Sequence, residues 1–327
     1  MDEFSLDVFK QRVRRSGRYD GSNGVFTEQA TTAVLAEVFR KTYENLKFVG
    51  GGLMPLDTSA GPGALAVAWD DVGYSTDDDD GFISDISTDV PTVSVNLERE
   101  SNPVHTLARS YCYSDIEMNV ARMGNYDPIV DKASRTREDW ERKLNDAIRF
   151  GVPGLNIPGF YRNPALSPLT ATNGSWAAAS ADEIIQDFAD AVAAIRNGTD
   201  GTSEPDTAIF DLVTWGILEE RQKSVASDKN VMQWLQANFP FIRTWAWDVG
   251  LLGQGDGGTG QGRDYTGGQN CMMLYKNDRT VLRSLLPMPM TPKGPQEVGL
   301  GWKVYFWGRF AGLAIPRPKE IVRLEGL

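Results

Sequence analysis

The stretch from Pro128 to Phe150 limits the fold more than any other. Asp127 followed by Pro128 reads as an N-cap with proline at the first helical position, and Gly151 reads as the stop. Ile129, Ala133, Trp140, Leu144, Ala147 and Ile148 form one apolar stripe, while Arg135, Arg137, Glu138, Glu141 and Arg142 crowd the other faces. The pattern predicts a helix of about 23 residues, ~35 Å long at 1.5 Å per residue. Few ordinary domains hold a helix of that length. It is a candidate spine on which the rest must pack.

Shorter signals surround it. Ser114 with Glu117 forms a capping box for a short helix ending near Gly124. Ser180 with Glu183 forms a second, opening a helix that carries Ile184, Ile185, Phe188, Val192 and Ile195 and stops at Asn197-Gly198. From Thr27, the spacing of Ala30, Val34, Leu35, Val38, Tyr43 and Leu46 predicts a helix closed by Gly50-Gly51-Gly52. Residues 53–104 switch to a period of two: Leu65, Val67 and Trp69, then Val93, Val95 and Leu97, read as half-buried strands. The acidic turn Thr76-Asp77-Asp78-Asp79-Asp80-Gly81 lies between them, a long excursion rather than a tight hairpin. Further strands are expected at Ala208–Val213, Phe241–Trp247, Cys271–Tyr275, Val298–Trp307 and Ala311–Ile315, and a helix at Val231–Ala237 before Pro240. The fold class is α+β, without a strict βαβ repeat.

Composition narrows the chemistry. The 327 residues carry a net charge of −11, which argues against a surface that coats nucleic acid or an anionic membrane throughout. The one exception is a basic cluster of Lys10, Arg12, Arg14, Arg15 and Arg18 within residues 1–26. That segment reads either as a solvated terminus or as a basic arm that orders on a neighbouring subunit or on nucleic acid. A single His excludes His-rich metal cages. Cys112 and Cys271 form no CxxC pair and fit a reducing compartment. No apolar run is long enough to span a bilayer, and residues 1–10 have no signal-peptide core.

Known chemical motifs fail one by one. Gly255-x-Gly257-x-x-Gly260 matches a dinucleotide fingerprint in form, but residues 261–268 are too glycine-rich to open the helix that would meet a pyrophosphate. The stretch from 250 to 268 reads as a mobile loop. Asp78, Asp80 and Gly81 fit three positions of a calcium loop, yet Thr76 and Ser87 occupy two that require carboxylates, so a solvated acidic turn is expected from Asp77 to Asp80, with weak cation binding left open. His105 and Cys112 lie an odd number of residues apart in an extended segment and face opposite ways, which prevents a nucleophilic pair there. Carboxylates are abundant, but nothing selects a glycosidase-like acid pair. The sequence predicts no catalytic residue, cofactor site or metal site.

An ordered series of short motifs resembles one family. It comprises the helix ending Val38-x-x-x-x-Tyr43, Gly73-Tyr74, Asp89-Val90-Pro91-Thr92-Val93, and Tyr111-x-Tyr113-Ser114-x-x-Glu117. Gly151-Val152-Pro153-Gly154-Leu155-Asn156-Ile157-Pro158 and Trp176 come next. Pro287, Gln296, Arg309-Phe310-x-Gly312 and Ile315-x-Arg317-Pro318 complete the series. In order and spacing this is similar to the major capsid proteins of tailed bacteriophages with the HK97-type fold, over about residues 25–320.

The resemblance implies an N-terminal arm at 1–26, an N-terminal helix at 27–52 and an extended loop (E-loop) at 53–104 reaching over the adjacent subunit. It further implies a P-domain with the spine helix at 105–165, an A-domain at 166–297 whose 250–268 loop faces a capsomer axis, and return strands at 298–327. The implied function is structural, not enzymatic, and needs no cofactor. Copies would assemble into pentamers and hexamers of an icosahedral head in the host cytoplasm. The head would enclose double-stranded DNA without sequence-specific binding, with scaffolding, portal and decoration proteins as partners and no membrane. An encapsulin-like shell and an acidic carbohydrate-active enzyme are the alternatives.

Overall fold

A computed structural model describes residues 46–50, 52–76, 93–123, 128–224, 228–252 and 270–327. In chain order these form β1 (Leu56–Asp57), β2 (Ala66–Thr76), β3 (Val93–Pro103), β4 (His105–Ser114), α1 (Asp115–Met123), α2 (Pro128–Phe150), β5 (Gly151–Val152), β6 (Ile157–Pro158) and β7 (Pro168–Thr170). Then come α3 (Ala181–Gly198), β8 (Thr207–Phe210), α4 (Leu212–Glu220), α5 (Val231–Asn238), β9 (Thr244–Trp247), β10 (Cys271–Tyr275) and β11 (Arg283–Leu285). The chain closes with β12 (Met288–Glu297), β13 (Gly301–Phe310), β14 (Leu313–Ala314) and β15 (Ile321–Glu325).

The central five-stranded sheet, in the order β7-β15-β10-β8-β9, separates two hydrophobic cores. Strand β10 shows how. Cys271, Met273 and Tyr275 join the core that contains Trp140, Leu144 and Ile148 of α2. Met272 and Leu274 join the other, with Ile184 and Phe188 of α3 and Leu235 of α5. A strand covered on both faces reads as a continuous apolar run, because alternation marks only strands with one wet side. Helix α2 also carries the three-stranded antiparallel sheet β12-β13-β4 on its flank. Trp140 Nε1 donates to the Leu107 carbonyl at 3.0 Å, and a Cβ on Gly308 would lie 2.6 Å from the Trp140 ring, so only glycine lets β13 lie this close.

Both capping boxes close. Ser114 N donates to Glu117 Oε2 at 3.2 Å and Glu117 N to Ser114 Oγ at 3.1 Å. Ser180 and Glu183 make the same reciprocal pair. The 23-residue helix stands as predicted from Pro128 onward, and Asp127 lies outside the described residues.

Four expected strands need correction. The 208–213 strand ends at Phe210: Asp211 accepts from Val213 N at 2.8 Å and Thr214 N at 2.9 Å and so caps α4, a helix apolar on almost every side. Of the 241–247 strand only Thr244–Trp247 pairs, since Phe241 and Ile242 belong to a turn in which Ile242 N donates to the Phe239 carbonyl. The 298–307 strand begins at Gly301 and runs on to Phe310, because Val298 to Leu300 make the preceding turn around Gly299, with φ +62°. The 311–315 strand shrinks to Leu313–Ala314 after Gly312 at φ +80°. Strand β12 is an addition that no sequence signal announces. The expected helix at 27–52 lies outside the described residues except for a turn near 47–50. Among the described residues no helix is long and apolar enough to cross a membrane.

Candidate assembly surfaces

Strands β2 and β3 pair antiparallel through eleven consecutive registers, from Ala66↔Pro103 to Thr76↔Val93. At ~3.4 Å per residue the ribbon is about 37 Å long. Opposed residues share a face, so its two sides can be read directly. One side presents Val72 (43% exposed), Val95 (60%) and Leu97 (63%), together with Arg99, whose guanidinium donates to both oxygens of Asp70 at 2.6 and 3.0 Å. That hydrogen-bonded contact holds the Asp70 carboxyl below its ordinary range. The other side presents Asp71, Glu98 and Glu100. Among the described residues it is the base that is fixed, where Trp69 packs on Leu285, Ala311 and Ala314. Covering the apolar side would be worth on the order of 1 kcal/mol per side chain, and nothing among the described residues covers it.

A second apolar point stands where β12 turns into β13. Leu300 is 87% exposed, beside the exposed Val298 and Ile116. The turn is held to the start of α1 by Asp115 N donating to the Leu300 carbonyl at 3.4 Å and Trp302 Nε1 donating to Asp115 at 3.3 Å. A third lies on α4, where Leu212 and Val213 are exposed. Exposed apolar clusters of this kind mark contact surfaces more often than they occur by chance.

A buried polar node ties the end of α2 to the segment after β9. Arg149 Nη2 donates to Asp248, Tyr161 OH donates to the same carboxylate at 2.6 Å, and Gly250 N donates at 2.7 Å. A Cβ on Gly250 would fall 2.7 Å from both Arg149 Nη2 and the Phe150 ring, so this turn requires glycine. Burial, and then the Asp248 charge, push the Tyr161 phenol well above its ordinary value. The chain leaves this node for the Gly-rich stretch; the Gly255, Gly257 and Gly260 positions, like Asp77 to Asp80 and the basic cluster from Lys10 to Arg18, lie outside the described residues.

The two other residues singled out for chemistry sit as the period of two requires. His105 lines a cleft of about 250 Å³ with Lys143, Asp146 and Phe310, whereas Cys112 is exposed on the opposite side of β4. Among the described residues no cluster of His, Cys, Asp and Glu could hold a metal ion. The exposed turn at Leu300 escaped sequence reasoning; Gly299 and Gly301 on either side of it were the available signal.

Comparison with known proteins gives a consistent result. A family model described as major capsid protein matches residues 78–327. The capsid of Myoviridae phage XM1 superposes with a TM-score of 0.74 at 19% identity, covering 91% of this chain and 98% of that one. The capsid of a native GTA particle gives 0.63 at 14% identity, covering 91% and 95%. A virus-like particle from Pyrococcus furiosus gives 0.52 at 16%, covering 84% and 90%. A search of curated protein sequences finds no match. The fold is the HK97-type capsid fold anticipated from the order of motifs.

Proposed function

Since the chain belongs to the major capsid protein family, we propose that its copies close into the icosahedral head of a tailed phage, as pentamers and hexamers around double-stranded DNA. The role is structural rather than catalytic. The ribbon is the observation that carries this reading. It extends about 37 Å with an exposed apolar side and, among the described residues, is anchored at its base, so its natural counterpart is another subunit. In this reading 53–104 is the extended loop, 105–165 is the peripheral domain with the spine, 166–297 is the axial domain, and 298–327 supplies return strands to both. Residues 1–26 tie neighbouring subunits together, and scaffolding, portal and decoration proteins complete the particle.

Each copy would bury well over ~2,000 Å² against its neighbours, the range of obligate interfaces, so individual contacts can be weak while the shell is stable. Electron microscopy of the expressed protein tests the reading: closed particles, tubes or capsomer rings are expected, and a stable monomer at assembly concentrations would overturn it. Likeness to the Pyrococcus furiosus particle favours a second reading, an encapsulin-like shell around protein cargo. Weighing DNA against protein inside purified particles separates the two.

A further inference from the structure

The sheet β12-β13-β4 has one side turned to α2 and one turned away. Leu107, Arg109, Gly308 and Phe310 lie on the inner side, where Arg109 pairs with Asp139 of α2. Cross-strand pairing then places Lys303, Tyr305, Trp307 and Arg309 of β13 on the outer side, opposite Cys112, Ser110, Ala108 and Thr106 of β4. Thr291 and Lys293 of β12 join them through their pairing with Trp307 and Tyr305. None of these residues is Asp or Glu, although the chain as a whole carries −11. The outer side is therefore a cationic platform with exposed hydroxyls at Thr106, Ser110 and Thr291, on a protein that is otherwise acidic; Lys293 is exposed, Lys303 and Arg309 are half-buried, and Arg309 directs one of its donors to the Pro62 carbonyl at 2.7 Å.

We infer that this platform contacts the phosphodiester backbone of duplex DNA, through Lys293, Lys303 and Arg309 with help from the neighbouring hydroxyls. The inference rests on the shell reading, in which DNA is the enclosed polymer. Charge selects a polyanion, and the aromatic rings select its form. Lys303 Nζ lies over the Tyr305 ring, 4.9 Å from its centroid, which leaves Trp307, 37% exposed, as the open ring among these residues. One open ring stacks one base rather than a run of them, so a single strand gains little from this face beyond its charge. A duplex needs only phosphate partners. Lys303 and Arg309 stand six residues apart on one strand, about 20 Å, which spans roughly six phosphates of a DNA strand at 3.4 Å each.

Three phosphate contacts give a slope of about −2.7 for the logarithm of affinity against the logarithm of salt, hence a roughly 40-fold loss between 50 and 200 mM. Binding of that kind is weak per copy and reversible, and its effect would come from repetition over the shell.

The test uses the unassembled full chain and a fluorescent duplex of about 30 base pairs, with anisotropy read across a salt series. Substituting Lys293→Gln, Lys303→Gln and Arg309→Gln together should weaken binding about tenfold or more at low salt and make the slope shallower by about 2.7. The basic cluster at residues 10–18 is present in both proteins and cancels. Lys293→Arg with Lys303→Arg should keep the slope. An unchanged slope in the Gln variant would overturn the inference, as would tighter binding to a single strand of equal length. So would loss of particles in the Gln variant with duplex binding intact, since the face would then meet carboxylates of a second copy, such as Asp71, Glu98 and Glu100. Failure of the shell reading shows itself separately, as absence of particles from the unsubstituted protein.

Discussion

Replacing Asp248 by Asn removes one charge and almost no volume from the node below β9. The carboxylate accepts from Arg149, from Tyr161 OH at 2.6 Å and from Gly250 N at 2.7 Å, with Arg149 and Asp248 themselves 4% and 1% exposed. The Asn carbonyl can keep two of these donors, and its amide can donate to the Tyr161 oxygen, so the hydrogen bonds are largely recoverable. What is lost is the counter-charge of a buried guanidinium. Breaking a buried pair costs about 3–5 kcal/mol. The lower end applies because Asp146 lies 3.9 Å from Arg149 and the Phe150 ring sits 4.7 Å beneath it.

Against a total of roughly 5–15 kcal/mol this is a large fraction, and at about 2 °C per kcal/mol it lowers the midpoint by at least ~6 °C. Urea unfolding of the unassembled protein, followed by tryptophan fluorescence, measures it. The double variant Arg149→Met with Asp248→Asn should recover most of the loss, because it leaves no charge unpaired while the Asn side chain still meets Tyr161 OH and Gly250 N. An Asp248→Asn protein within about 1 kcal/mol of the parent, or a double variant as unstable as the single one, would refute the reasoning.

Other expectations arise from the same surfaces. Val95→Asp with Leu97→Asp should change unfolding stability by less than ~1 kcal/mol, since both side chains are exposed, yet abolish closed particles in electron micrographs; normal particles would remove the ribbon from assembly. Burial raises the Tyr161 and Tyr275 phenols well above their ordinary value of 10.0, with nearby carboxylate charge adding to it. The stability they contribute is therefore complete below the unfolded value and is lost as pH rises through the folded ones. Ultraviolet titration should show two of the ten tyrosines ionising only with unfolding, and a smooth titration of all ten below that transition contradicts this. Removing residues 1–20 should give soluble subunits or aberrant shells by sedimentation and microscopy, and normal particles would exclude the arm.

Features set by neighbours in sequence were the legible ones. Each capping box needs only residues three apart, and the spine helix needs only its own stripe and end signals. The alternation of Val93, Val95 and Leu97 marked the strand, but the half-buried face it predicts is exposed in the single chain, with Val95 and Leu97 at 60% and 63%. The failures have equally physical causes. Helix α4 differs too little from face to face to show a helical period, and only Asp211, acting as its cap, could have revealed it. Strand β12 is disguised by Pro289, Pro292 and Pro295, which argue against a strand unless it lies at a sheet edge. The cationic platform depends on β4 meeting β13 across most of the chain, and no local pattern encodes that pairing.

The prolines of β12 have one more consequence. This strand is an outer member of its sheet, paired only with β13, and its register slips twice, between Met288 and Thr291 and between Lys293 and Gln296. A regular open edge would offer identical copies a template on which to zip backbone to backbone, a union slow to undo. Missing amide protons and broken register deny that template. Copies crowded at high concentration are left to meet through side chains, where a misplaced neighbour can still depart before the shell closes around the error.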